Sequence, residues 1–86
     1  MEQLRKRITK DRPRSQIQII IDDWIIGENG ARNRKIIEAY LFDGLSLEEI
    51  AEQFCMSTQG ICDVIYPKCN FIYAKLTEAN KDIITA

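Results

Sequence analysis

The 86-residue chain contains no histidine. The side chain that most often serves as a general base at neutral pH, and most often ligates metal, is therefore missing. Its four glycines are scattered and form no loop that could cradle a phosphate. No apolar run approaches the ~20 residues that a membrane helix requires. Cysteine is scarce and odd in number: Cys55, Cys62 and Cys69 recur at intervals of seven. Structural zinc sites take four ligands, usually with two cysteines close together in a tight loop, and neither condition is met. The start of the chain carries basic residues but no apolar stretch ending in a small-residue cleavage site, so it does not read as a signal peptide. An odd cysteine count without a secretory signal points to reduced thiols and a cytoplasmic protein. No base stands near Cys62 or Cys69 to activate a thiolate. The carboxylate pairs Asp22-Asp23 and Glu48-Glu49 are neighbours on predicted helix surfaces. These absences exclude the familiar catalytic classes, and the expectation is a non-enzyme with no cofactor and no metal.

What is present is an ordinary globular composition, 45% hydrophobic. That is enough for a single domain around one modest core. The net charge of −1 conceals an asymmetry. Residues 1–14 hold six cations against two carboxylates, a net of +4, which leaves −5 on the other 72 residues. A basic segment on an acidic body can grip phosphate backbones by itself. Pro13 disfavours helix through Arg12, so residues 1–14 read as a flexible basic arm, 15–78 as the folded domain and 79–86 as a frayed tail.

From Ser15 onward, Ile17, Ile20, Ile21, Trp24 and Ile25 fall at the spacing of an amphipathic helix. The β-branched run favours a strand, but the stripe persists as far as Trp24 and Ile25, which decides for helix. Ile19 and Ile26 lie off that stripe and hint at a partner surface, such as that of a homodimer. Gly27-Glu28-Asn29-Gly30 breaks the pattern. A second helix is predicted from about Ala31 to Phe42, with Ile36, Ile37, Tyr40 and Leu41 inward, ended by Gly44 in the left-handed conformation.

The most informative stretch runs from Leu45 to Ser57. Ser46 and Glu49 form a capping box, and Leu45 with Ile50 forms the hydrophobic staple. Ile50 and Phe54 share a face, Ala51 leaves room for a crossing helix, and Cys55-Met56-Ser57 interrupts the pattern. Ser57 can cap a further helix whose inward residues are Ile61, Val64 and Ile65. That helix meets Pro67, where a kink is expected rather than a stop, because Ile72 and Leu76 continue the stripe. Two short helices joined by a three-residue turn make a helix-turn-helix. The fold expected is all-α, a small bundle of about four helices containing this motif.

This stretch resembles helix-turn-helix DNA-binding domains. Asp43-Gly44-Leu45-Ser46-Leu47-Glu48-Glu49-Ile50-Ala51 is similar to the fourth conserved region of bacterial RNA polymerase sigma factors, and to the small sigma-region-4-like proteins of phages and mobile elements. The resemblance covers roughly Arg32 to Leu76. It departs from the family in two places: Cys55 stands where many members have glycine, and the second motif helix has no arginine. It implies sequence-specific binding of double-stranded DNA in transcription regulation, or alternatively a module that docks on RNA polymerase or another regulator.

With Ile61 inward, Gln59, Cys62, Asp63 and Tyr66 point outward with Thr58 beside them, the edge that a recognition helix lays in the major groove. Gln59 suits adenine, Asp63 can accept from cytosine, and Thr58 can reach a thymine methyl or a phosphate. The candidate phosphate-binding residues are Arg5, Lys6, Arg7, Lys10, Arg12 and Arg14 on the arm, Arg32, Arg34 and Lys35 before the motif, and Ser57 at its turn.

Overall fold

In the computed structural model, residues 2–10 and 12–85 are described, with side chains over 4–10 and 12–77. The described residues form five helices and no strand: α1 (Glu2–Thr9), α2 (Arg14–Trp24), α3 (Gly30–Leu41), α4 (Leu47–Gln53) and α5 (Thr58–Thr85). At about 1.5 Å per residue, the 28 residues of α5 span about 42 Å. The molecule is 45 Å long, so this helix runs nearly its full length. The other four helices all pack against it. Its inward stripe is Ile61, Val64, Ile65, Cys69, Ile72 and Leu76, an i, i+3, i+4 series that keeps one face on the core. The helix continues through Pro67, which has no N–H to offer the carbonyl of Asp63. It also continues past the point where fraying was predicted, its backbone staying helical to Thr85.

The expected flexible arm is instead mostly helix. Leu4 and Ile8, four residues apart on α1, pack on the core, and Ile8 is fully buried. Arg5 lies on the same helix and donates from Nε to the Tyr40 carbonyl and from Nη2 to the Leu45 carbonyl, both at 2.7 Å. Its guanidinium also lies 4.4 Å from the centre of the Tyr40 ring. Pro13, in extended conformation, separates this helix from α2, as its restriction on Arg12 requires.

Helix α2 buries Ile17 and Ile21, and Ile25 just beyond its end. Trp24 does not join them. The helix stops at Trp24, the backbone of Ile25 leaves helical geometry (φ −93°, ψ 81°), and the indole stays 53% exposed. Gly30 opens α3 where a Cβ would meet the Ile25 carbonyl and the Arg34 guanidinium, each at 3.2 Å, so the two helices approach closely there. Helix α3 supplies Ile36, Ile37, Ala39, Tyr40 and Leu41 to the core. It ends through Gly44 at φ +71°, as predicted, and the Leu45 amide returns to the Ala39 carbonyl at 3.2 Å. No described helix is long and apolar enough to cross a membrane.

Candidate nucleic-acid interface

Helix α4 begins as its sequence dictates. The Glu49 amide donates to Ser46 Oγ (3.2 Å), and the Ser46 amide donates to Glu49 Oε1 (3.0 Å). The Ser46 amide, and then its hydroxyl, hold the Glu49 carboxyl below its ordinary pKa of 4.5. Ile50 and Ala51 are buried beneath, with Leu45 packed on the core.

The turn between α4 and α5 is a two-bond helix C-terminus. The Met56 amide reaches the Ala51 carbonyl at 2.9 Å and the Cys55 amide reaches the Glu52 carbonyl at 3.3 Å. These are the paired bonds of the Schellman motif, which puts its C′ residue in the left-handed region. That residue is Cys55, at φ +55°, the only non-glycine among the described residues with positive φ. Ser57 then caps α5, its Oγ accepting from the Gly60 amide at 3.0 Å. The cap takes a lone pair of Oγ and leaves its O–H as the donor that a phosphate contact would use.

On α5, Thr58, Gln59, Asp63 and Tyr66 are exposed and Cys62 is half-buried, so the outward set shares the expected edge. Gln59 and Asp63 are joined one turn apart, Nε2 donating to Oδ1 at 3.0 Å. In this pairing Gln59 keeps its carbonyl oxygen as an acceptor and its second amide N–H as a donor, and Asp63 keeps a carboxylate oxygen as an acceptor.

The cations assigned to phosphate divide into two groups. Several act on the fold itself. Arg5 takes up the Tyr40 carbonyl at the end of α3. Arg12 donates to the carbonyls of Arg7 and Ile8 at the end of α1. Arg34 donates to the Ile25 carbonyl at the end of α2, at 2.7 Å. In each case a guanidinium satisfies carbonyls that a helix C-terminus leaves open and lies at the favourable end of its dipole. The Arg14 guanidinium lies 4.5 Å from the centre of the Phe42 ring. Lys6, Arg7, Lys10, Arg32 and Lys35 are exposed on α1, its end and α3. Arg32 also reaches its neighbour Asn33 Oδ1, at 3.2 and 3.3 Å. Between Lys35 and Lys68 the chain has six carboxylates and no cation, so the motif itself is acidic and its positive charge comes from flanking helices.

Sequence reasoning missed the helix-capping role of these arginines. The carbonyls that Arg5 binds belong to residues 35 and 40 positions away, beyond any local signal. It also missed Lys75, whose ammonium lies 4.5 Å from the Trp24 ring centre and 5.5 Å from that of Phe71. Among the described residues no group of His, Cys, Asp and Glu side chains could hold a metal. Burial pushes the Cys69 thiol up to about 12, with Arg5 opposing the rise, so Cys69 is a neutral packing residue.

A capped short helix with a buried alanine, a tight left-handed turn and a second capped helix packed against the first define a helix-turn-helix protein. The chain matches the model of the UPF0122 family, described as "Putative helix-turn-helix protein, YlxM / p13 like", over residues 30–81. That match covers more than half of the chain, and the protein belongs to this family. Searches of curated proteins and of solved structures returned no match.

Proposed function

We propose that the protein is a cytoplasmic, non-enzymatic DNA-binding protein acting in transcription regulation, with the first turns of α5 laid in the major groove of double-stranded DNA. The observation that carries this reading is the outward edge of α5, where Thr58, Gln59, Cys62, Asp63 and Tyr66 lie together just after the turn. Paired as they are, Gln59 keeps an acceptor and a donor, which suits adenine N6 and N7, and Asp63 keeps an acceptor, which suits cytosine N4. Lys6, Arg7, Lys10, Arg32 and Lys35 supply the grip on phosphate, because the motif has no cation of its own. Fluorescence anisotropy on selected duplexes tests this. Gln59→Ala and Asp63→Ala should relax base preference, each by about 1–3 kcal/mol at one position. Lys6→Ala with Lys10→Ala should weaken binding to all sequences and reduce the salt slope by about one for each lysine that neutralises a phosphate. Salt-independent binding, or none to any duplex, would refute it.

A second reading is favoured by the acidity of the motif. Six carboxylates without a cation between Lys35 and Lys68 suit a basic protein surface better than a phosphate backbone. In that reading the sigma-region-4-like motif docks on RNA polymerase or another regulator. Pull-down with purified RNA polymerase, compared with a Glu48→Lys, Glu52→Lys variant, separates the two.

A further inference from the structure

Gln59 and Asp63 are both exposed on the outward edge of α5, one helical turn apart. Gln59 Nε2 donates to Asp63 Oδ1 at 3.0 Å. Neither side chain makes another hydrogen bond among the described residues. A glutamine amide has an oxygen at one end and a nitrogen at the other, and its last torsion is broad and nearly two-fold. Left alone, it turns over and offers either end to a base. Beside Asp63, turning would set the carbonyl oxygen against the carboxylate, two acceptors with no proton between them. The bond therefore keeps Nε2 on Asp63 and leaves the carbonyl oxygen as the free end. Such a pair is weak in water, and it strengthens where a groove displaces the water around it.

The held amide treats the two purines differently. Adenine offers the N7 acceptor beside the N6 donor, whereas guanine offers two acceptors, N7 and O6. The second N–H of Gln59 can donate to N7 while its oxygen accepts from N6, so adenine satisfies both ends. At guanine the same placement sets the Gln59 oxygen against O6. A free amide escapes by turning over and donating to O6, but a held one does not. We propose that Asp63 is a positioning residue, which fixes the Gln59 amide to select adenine over guanine and reads no base of its own. The two residues then read one base pair between them. This rests on the reading of α5 as the groove-facing helix.

Selection over random duplexes, followed by fluorescence anisotropy on singly changed sites, tests the proposal. The base pair at which Gln59→Ala loses its preference marks the contact, and it should hold adenine. There Asp63→Ala should lower the ratio of adenine to guanine affinity by at least about fivefold, the lower end of what a bidentate contact supplies. Adding Asp63→Ala to Gln59→Ala should lower that ratio no further, because the two act as one unit. Asp63→Asn keeps a carbonyl that accepts the same N–H. Its ratio should survive, while affinity for all duplexes rises with the loss of a negative charge. Circular dichroism should show each variant folded, since both residues are exposed. An Asp63→Ala ratio equal to the parent's overturns the proposal. So does a loss at a different base pair, which would make Asp63 a reader of cytosine. An Asp63→Asn variant that behaves like the alanine variant also overturns it, as does a Gln59 contact that is absent or falls on another base. A parent that binds no duplex overturns the DNA-binding reading itself, and the proposal with it.

Discussion

Replacing Cys55 with glycine should stabilise the fold, although it removes a side chain and adds freedom to the unfolded chain. Cys55 holds φ +55° because the C-terminus of α4 requires a left-handed residue to bring the Met56 amide to the Ala51 carbonyl. For a residue with a Cβ that conformation costs about 1–2 kcal/mol. Glycine relieves the cost and gives back about 0.5–1 kcal/mol through the greater entropy of the unfolded state. Cys55 is exposed, so little packing is lost. The balance is a gain of about 0.5–1 kcal/mol, with about 4–8 °C of melting temperature expected per kcal/mol in a domain of this size. The comparison that isolates the backbone is Cys55→Gly against Cys55→Ala, since both remove the thiol and only glycine relieves the strain. Urea denaturation should place the glycine variant above both the alanine variant and the parent, with the slope unchanged. A glycine variant no more stable than the alanine variant would refute the argument.

Arg5→Ala should destabilise by about 1–3 kcal/mol, because it strips two half-buried carbonyls of their donor. Arg5→Lys should recover only part of that in thermal denaturation, since an ammonium lacks the planar fork that spans both oxygens. Deleting residues 1–14 should lower the melting temperature as well as any DNA affinity, because Ile8 leaves the core with the segment. Equal melting temperatures for the truncated and full chains would show that α1 adds nothing to the fold. Glu49→Gln should lower stability near neutral pH. The folded-state pKa of Glu49 lies below 4.5, so its contribution is present above that value and fades as the pH falls through the depressed pKa. The gap between parent and variant in a pH series of melting curves should therefore narrow below about pH 4.5; a gap that stays constant would contradict the capping-box origin of the shift.

The sequence by itself determined the elements whose causes are local. Ser46 and Glu49 are three residues apart and bond each other directly, so the start of α4 is readable without the rest of the chain. The same holds for the Ile17, Ile21, Ile25 spacing and for Gly44. The outward edge of α5 follows from Ile61 facing in, since helical geometry fixes the remaining directions. Only the tertiary structure decided what the basic residues do. A short segment with six cations looks like a loose arm in isolation, but Ile8 finds a site in a core that α3 and α5 share, and Arg5 finds carbonyls on the far side of the sequence. Trp24 is the converse case: its spacing assigns it to the core, yet α2 ends there, and the turn that admits Ile25 leaves the indole outside against Phe71. The physical reason is common to both. Periodicity reports which face of a helix is apolar, whereas the ends of helices and the partners of long polar side chains depend on segments that come together only on folding.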